Sequence, residues 1–372
     1  MSRITAVAFA AAILMSLAGP AAAIPAQPGV SYTPWGNDLT QPATFAAFQD
    51  VVARMQDNGV QWVALNVFEF QDTLTSTAIG PRLDLWSTPL HSVERAVQEF
   101  HARGINVLLK PNVDVADGSW RGNIAGSDAW FNDPDGYKAF VSRWAAWGEA
   151  QGVAGLAIGC EFSAAQDKAA RWLETIALAR GAFSGWLTYA ANWDAYRTVS
   201  WWSALDYIGI DAYFPLTALA DPTLAQLIDA WNYWLDDPAA GIQPWLLSLP
   251  PADRKQVLFT EIGYRSIDGA NIAPWAWSPY GPDNLDLQEQ ADCYAAAFSA
   301  TIDRSWLDGY YWWNWETYPQ PGDELWNDYT PQNKPAEFVL RHYYTPEPAS
   351  ALLLAAGLAA LARRRRDHPR AG

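Results

Sequence analysis

Short runs rich in β-branched and aromatic residues alternate with helical patterns along most of this chain. The run over 62–70 precedes a helical pattern over 90–103, and the run over 105–113 precedes one over 134–151. Such alternation is typical of strand–helix units that build a parallel sheet. Gly59 follows the first helical pattern, at a position where glycine commonly ends a helix. The alternation therefore restricts the chain to the α/β folds.

Eight of these units fit between residues 29 and 344, with no low-complexity linker between them. Eight units predict a single domain with the α/β fold of a (β/α)8 TIM barrel. A doubly wound open sheet is the alternative, but no predicted strand is followed by a glycine-rich nucleotide-binding motif. The predicted strands are 29–35, 62–70, 105–113, 155–162, 187–193, 207–214, 257–264 and 309–315. The predicted helices are 44–58, 90–103, 134–151, 167–180, a weak helix at 196–202, 223–235, 286–304 and 335–343.

The N-terminus has the features of a secretory signal. Arg3 precedes an apolar run over 4–17, and the alanines at 21–23 fit the small-residue cleavage pattern. A buried first helix is the alternative, but the position and the flanking residues both match a signal. We therefore predict that residues 1–23 direct export and are removed by a signal peptidase.

The C-terminus combines three features in a fixed order. Pro-Glu-Pro at 346–348 precedes an uncharged apolar segment over 349–362, and four arginines follow at 363–366. The apolar segment is shorter than the roughly 20 residues that span a bilayer, and the arginines would lie on its cytoplasmic side. The tail over 346–372 resembles the PEP-CTERM sorting signal of Gram-negative bacteria.

That resemblance implies a short transmembrane helix that anchors the protein transiently in the inner membrane. It also implies recognition by an exosortase and delivery to the cell surface or the extracellular matrix. A simple tail anchor is the alternative.

The charge balance and the few cysteines and histidines exclude several classes of protein. With 40 acidic and 24 basic residues, the net charge is −16, which argues against a nucleic-acid partner. Two cysteines, Cys160 and Cys293, cannot form a disulfide scaffold or a cysteine-based zinc site. None of the four histidines ends a predicted strand, and no HxH or HExxH motif occurs. We therefore expect no metal, no cofactor and no Ser–His or Cys–His catalysis.

Two glutamates follow apolar strands, where an unpartnered charge would be costly. Glu161 lies at the end of the fourth predicted strand and Glu261 at the end of the seventh. In a (β/α)8 barrel, the carboxyl ends of the strands form the active site. Two facing carboxyl groups suit glycoside hydrolysis, in which one protonates the leaving oxygen and the other attacks the anomeric carbon. The alternative is that each glutamate only pairs with a cation at the rim.

Other residues at the same strand ends are candidates to support these glutamates. We expect Tyr213 to donate a hydrogen bond to Glu261, and Glu161 to need a raised pKa so that it starts protonated. Trp313 and Trp315 share one face of the eighth predicted strand, where aromatic rings suit the C–H faces of sugars. Core packing is the alternative for every tryptophan. The further candidates for substrate contacts are Trp35, Lys110, Asn112, Trp120, Arg121, Asn192, Trp193 and Asp211.

Lys110 at the end of the third strand is also the one candidate for Schiff-base chemistry. We favour instead a hydrogen-bonding or ion-pairing role beside Asp114.

Seven segments spread over nearly the whole body carry a resemblance to a known family. They are WVALNV at 62–67, KPNVD at 110–114, WRG at 120–122, IGCE at 158–161, DAY at 211–213, TEIGY at 260–264 and WWNW at 312–315. These segments resemble glycoside hydrolase family 113 of clan A, whose known activity is mainly endo-β-1,4-mannanase. The resemblance implies a retaining hydrolase of β-1,4-linked polysaccharide, with Glu161 as the acid/base and Glu261 as the nucleophile.

Two positions depart from the pattern of these enzymes. Most clan A enzymes carry asparagine just before the acid/base, where this chain has Cys160, and Asn112 stands where family 113 leads us to expect histidine. Either change can shift the substrate from mannan to another β-glycan, or weaken activity. Two alternatives therefore stay open: a surface polysaccharide-binding protein without turnover, and a clan A hydrolase of another β-glycan.

Overall fold

Eight parallel strands close into a barrel in the order in which they occur along the chain. The computed structural model describes residues 25–278, 281, 283–318 and 326–345. The strands are β1 Gln27–Tyr32, β2 Trp62–Gln71, β3 Asn106–Val115, β4 Gly155–Cys160, β5 Trp186–Asn192, β6 Tyr207–Asp211, β7 Gln256–Ile262 and β8 Leu307–Trp315. The closed ring confirms the (β/α)8 barrel and excludes the doubly wound open sheet.

Helices follow the strands and pack around the barrel. They are α1 Pro42–Asp57, α2 Leu90–Ala102, α3 Asp128–Asn132, α4 Tyr137–Gln151, α5 Ala169–Ala182, α6 Leu224–Asp236, α7 Ile242–Ser248, α8 Leu287–Thr301 and α9 Pro335–Tyr344. Side chains at several N-termini satisfy the first free N–H groups: Ser127 caps α3, Thr223 and Gln226 form a capping box on α6, and Asp286 caps α8.

The sequence prediction was wrong about three helical segments. The weak helix over 196–202 is instead two separate 3₁₀ turns, Tyr196–Thr198 and Trp202–Ala204. The short helices α3 and α7 were not predicted, because so few residues give no readable helical period.

Several strands end earlier than predicted, and this places the polar residues just beyond them. β4 ends at Cys160 and β6 at Asp211, so Glu161 and Tyr213 begin the loops at the mouth of the barrel. The prediction ran too far because buried apolar residues such as Phe214 continue past the last strand residue. A hydrophobic run therefore does not show where the strand itself stops.

The interior of the barrel changes from apolar to polar along the strands. Near the amino-terminal end, Ala64, Leu108 and Leu258 belong to a small buried apolar cluster. Two residues further along β3 and β7, on the same faces, the side chains are Lys110 and Thr260, and both are fully buried. The sequence of these strands thus places a polar layer directly beneath the mouth.

No helix within the described ranges is long and apolar enough to cross a membrane. The predicted signal over 1–23 lies outside those ranges, as does the predicted transmembrane helix of the tail.

Candidate active site

A cavity of about 690 Å³ opens at the carboxyl ends of the strands. Both Glu161 and Glu261 line it, so the structure brings together the two glutamates that the sequence singled out. Seven further sequence candidates also line the cavity: Trp35, Trp120, Arg121, Asn192, Trp193, Tyr213 and Trp313.

Glu161 follows β4 in a left-handed backbone conformation, with φ of 58°. Such a conformation costs a non-glycine residue about 1–3 kcal/mol, and strained residues of this kind cluster at functional sites. Its backbone N–H donates to Ala190 and its carbonyl accepts from Ser163, but its carboxyl group accepts no hydrogen bond from the described residues. The backbone therefore holds the residue firmly while the carboxyl group is left for a ligand.

The pKa of Glu161 is raised to about 8, as its predicted role requires. Desolvation of the carboxyl group is the largest cause, and the nearby Asp211 and Glu261 carboxylates add repulsion. The positive charges of Arg121 and Lys110 partly oppose this rise. Glu161 is therefore protonated at neutral pH.

Glu261 has the opposite environment, because two donors hold its carboxylate. Tyr213 Oη donates to Oε2 at 2.7 Å, which is the predicted hydrogen bond. The Lys110 ammonium donates to Oε1. These two contacts fix the position of the carboxylate at the cavity, so Glu261 is placed to act as a nucleophile.

The partner predicted for Lys110 was wrong. Lys110 contacts Glu261 and lies 3.7 Å from Asp211 Oδ2, whereas Asp114 pairs with Arg121 at 2.6 Å. Residues four apart on a strand are about 13 Å apart, which is too far for an ion pair. Lys110 is fully buried and does not line the cavity, so it acts on the site through the carboxylates.

Asp211 is a third carboxylate beneath the two glutamates, and it does not line the cavity either. It accepts a hydrogen bond from Thr260 Oγ1 at 2.7 Å and contacts the Cys160 thiol at 3.5 Å. Burial raises the pKa of Asp211 to about 6, although the Lys110 charge lowers it. Asp211 therefore shares Lys110 with Glu261 and is no candidate for a direct sugar contact.

Arg121 lines the cavity and is fixed by three neighbours. It donates to Asp114 at 2.8 Å, to Asn112 Oδ1 at 2.9 Å and to Cys160 Sγ at 3.4 Å. Asn112 is buried away from the cavity, so its predicted substrate contact is replaced by a role in orienting Arg121. Burial raises the pKa of Cys160, which keeps this residue a thiol.

One aromatic wall of the cavity consists of Trp35, Phe68 and Trp313. Trp35 stacks on Phe68 with ring centroids 5.6 Å apart and meets Trp313 edge to face at 6.2 Å. Trp35 also has a left-handed backbone, with φ of 49°. Besides Trp35 and Glu161, the only non-glycine residues with positive φ within the described residues are Asn284 and Asn333, and asparagine tolerates this conformation.

Trp315 does not face the cavity, contrary to prediction. Its side chain is fully buried in the hydrophobic core. The register between β1 and β8 shifts between Val30 and Tyr32, which pair with Trp312 and Trp315. This irregularity interrupts the alternation of faces along β8, so Trp313 and Trp315 do not share a face.

A second aromatic group lines the cavity from other loops. Trp193, after β5, stacks on Trp275 with centroids 5.0 Å apart and an interplanar angle of 23°. Asn192 precedes it and accepts a hydrogen bond from the Trp193 N–H at 2.9 Å. Trp120 lines the cavity with 46% of its surface exposed.

Sequence reasoning missed several residues of the cavity. They are Phe68, Trp86, Asp114, Asp194, Trp275, Trp277 and Tyr329. A signal existed for Trp275 and Trp277, which lie in the long segment between β7 and α8. Long loops at the carboxyl end of a (β/α)8 barrel commonly form the site.

Cys160, Glu161 and Asp211 have ligand atoms within 4.8 Å of one another, a spacing that could hold a metal ion. However, Lys110 lies 3.7 Å from Asp211 and Arg121 donates to Cys160. These two cations already neutralise the group and would repel a metal ion. We therefore assign the cluster to an ion-pair network.

The sequence profile of Glycoside Hydrolase Family 113 matches residues 37–334. The chain belongs to glycoside hydrolase family 113. It is thus a glycoside hydrolase, and its paired cavity glutamates are the residues expected from the sequence resemblance. The PEP-CTERM protein-sorting motif matches residues 345–366, which indicates export and an exosortase as sorting partner.

Solved structures of family 113 enzymes share the fold. A GH113 β-1,4-mannanase in a complex is 24% identical with a TM-score of 0.70, covering 86% of this chain and 99% of that chain. The GH113 β-mannanase AaManA from Alicyclobacillus acidocaldarius, in complex with ManMIm, is 27% identical with a TM-score of 0.71, covering 86% and 96%.

A more distant likeness extends beyond the family. The β-glucuronidase from Faecalibacterium prausnitzii is 14% identical with a TM-score of 0.56, covering 88% of this chain and 50% of that chain, and this likeness shows the fold alone. No curated protein matched the sequence.

Proposed function

We propose that this family 113 hydrolase is a retaining endo-β-1,4-mannanase. The observation that carries the proposal is the contrast between two carboxyl groups in one cavity. Glu161 has a pKa raised to about 8, whereas Glu261 accepts from both Lys110 and Tyr213. One protonated acid and one hydrogen-bonded carboxylate are the pair that glycoside hydrolysis requires, and the proposal of retention rests on the likeness to family 113.

The proposed reaction has two steps. First, Glu261 attacks the anomeric carbon while Glu161 gives its proton to the leaving oxygen, so one C–O bond forms as the glycosidic C–O bond breaks. Water then attacks the same carbon, the bond to Glu261 breaks, and the water proton goes to Glu161. Both carboxyl groups return to their starting states, and the sugar keeps its anomeric configuration.

The charges around the cavity favour a neutral glycan. Among the described residues that line it, Arg121 is the only cation, and Asp114 already pairs with it at 2.6 Å. A uronic acid would need a free cation to balance its carboxylate. The aromatic wall of Trp35 and Trp313 suits instead the apolar C–H face of a neutral sugar.

The place of action follows from the two ends of the chain. We propose that a signal peptidase removes residues 1–23 and that the tail delivers the enzyme to the surface or extracellular matrix of a Gram-negative bacterium. There it would act on extracellular polysaccharide.

The function is tested with the purified body over 24–348 on panels of mannan, glucan and xylan. We expect new reducing ends from mannan, and NMR should show the β-anomer as the first product. Activity confined to glucan or xylan would instead assign another β-glycan. Binding without turnover on any panel would assign a surface polysaccharide-binding protein, and an α-anomer as first product would exclude retention.

A further inference from the structure

The Trp193–Trp275 stack presents an exposed aromatic surface inside the cavity. Trp275 is 46% exposed, and the neighbouring Trp277 also lines the cavity with 70% exposed. Trp193 also packs edge to face with Trp234 and Phe214, with ring centroids 5.8 Å and 6.0 Å away. An exposed apolar cluster of this kind, built on rigid neighbours, marks a place where a ligand binds.

A buried asparagine fixes the segment that carries Trp275. Asn271 is fully buried, and its Oδ1 accepts from the N–H of Thr217 at 2.9 Å and from the Thr217 hydroxyl at 2.8 Å. Its Nδ2 donates to the Leu219 carbonyl and to Glu289, both at 2.9 Å. The asparagine therefore ties the β7–α8 segment to the β6–α6 segment.

Glu289, in the first turn of α8, holds the same segment, and Asn271 and Glu289 together are called the clamp below. It accepts from the backbone N–H of Gly269 at 2.7 Å and of Asn271 at 3.0 Å. Tyr329 donates to the carbonyl of Pro274 at 2.6 Å, immediately before Trp275. Buried polar networks are costly unless every member is satisfied. This network holds in place the segment that carries Trp275.

The stack lies across the barrel mouth from the other aromatic wall. Trp35, Phe68 and Trp313 lie on or just after β1, β2 and β8, which are neighbours in the ring. Trp193 follows β5, on the far side of the same ring. A glycan chain that contacts both aromatic groups must therefore cross the mouth over the two glutamates.

We propose that the Trp193–Trp275 stack binds a neutral sugar unit of the glycan at a distance from the cleaved bond, and that Asn271 and Glu289 are positioning residues for this site. The inference rests on the proposed function for the identity of the glycan. It goes beyond that function because it assigns a separate binding site that only a long substrate reaches.

The binding site is tested in the Glu261→Gln background by calorimetric titration with mannohexaose and mannotriose. Trp275→Ala should weaken binding of the hexasaccharide about five- to tenfold, the scale of one aromatic contact, and leave the trisaccharide unchanged. Phe338→Ala is the matched control, since Phe338 is 57% exposed on α9 away from the cavity. An equal loss for both ligands, or no loss for the hexasaccharide, would overturn the proposal.

The clamp is tested by turnover of the same two substrates. Asn271→Ala should raise KM for the hexasaccharide with kcat unchanged, and Glu289→Gln, which keeps one acceptor oxygen, should have a smaller effect in the same direction. A fall in kcat on both substrates would show that the clamp only maintains the fold. If the wild type binds the hexasaccharide but cleaves neither substrate, the proposed function fails while the binding test still decides this site.

Discussion

Glu161 and Glu261 are the same residue type in one cavity, but their surroundings differ. Glu161 is held by its backbone, and its carboxyl group has no donor among the described residues. Glu261 has two donors, Lys110 from β3 and Tyr213 from the loop after β6. The comparison shows that the strand end positions a carboxyl group, while side chains from other parts of the barrel determine which groups surround it.

The largest effect is expected when the carboxylate of Glu261 is removed. Glu261→Gln should lower kcat on mannan by about 10³-fold or more, because the amide cannot form the covalent intermediate. Reducing-end assays measure the loss, with Glu94→Gln, a half-buried position on α2 outside the cavity, as the control. Activity near the wild-type level in Glu261→Gln would contradict the assignment of the nucleophile.

Removal of the protonated carboxyl group should have an effect that depends on the leaving group. Glu161→Gln should slow hydrolysis of mannan by about 10²–10⁴-fold, because the leaving oxygen is no longer protonated. Dinitrophenyl mannosides need no such proton for departure, so their first step should be slowed much less. Equal losses on the two substrates would show that Glu161 is not the acid.

The donors of Glu261 should differ in their importance. Lys110→Met leaves both Glu261 and Asp211 without their cation and should lower kcat by about 10²-fold, whereas Tyr213→Phe removes one hydrogen bond and should cost about tenfold. Circular dichroism checks that both variants fold.

Because Lys110 lowers the pKa of Glu161, the basic limb of kcat/KM should move to higher pH in Lys110→Met. A limb that does not move would separate Lys110 from this network.

The smallest effect, about a twofold loss of kcat/KM, is expected when the pH of the wild-type enzyme is raised to the pKa of Glu161. As the proposed acid, Glu161 needs its proton, and its pKa is raised to about 8. The rate constant kcat/KM should therefore be halved near pH 8 and fall about tenfold per unit above it. A titration from pH 5 to 10 measures this, and the limb should be absent in Glu161→Gln. Persistence of the limb in that variant would assign it to another group.

The sequence predicted the residues that lie at strand ends better than the residues that meet across the barrel. The Tyr213–Glu261 hydrogen bond was predicted because Tyr213 follows β6 and Glu261 lies near the end of the adjacent strand β7. The contact between Lys110 and Glu261 was not predicted, because the two residues are far apart in sequence and meet across the barrel interior. The prediction placed Trp315 on the same face as Trp313, because a register shift between β1 and β8 cannot be read from the residue pattern.

By itself, the sequence determined the barrel and the rim on which its chemistry lies, since the strand–helix period and the polar residues after each strand are local properties. The tertiary structure decided which side chains reach the cavity and which carboxyl group keeps its proton. Asp211 on β6, Lys110 on β3 and Arg121 in the loop after β3 surround the two glutamates, and their electrostatic effects depend on distances across the barrel. Such distances are fixed only when the ring of strands closes.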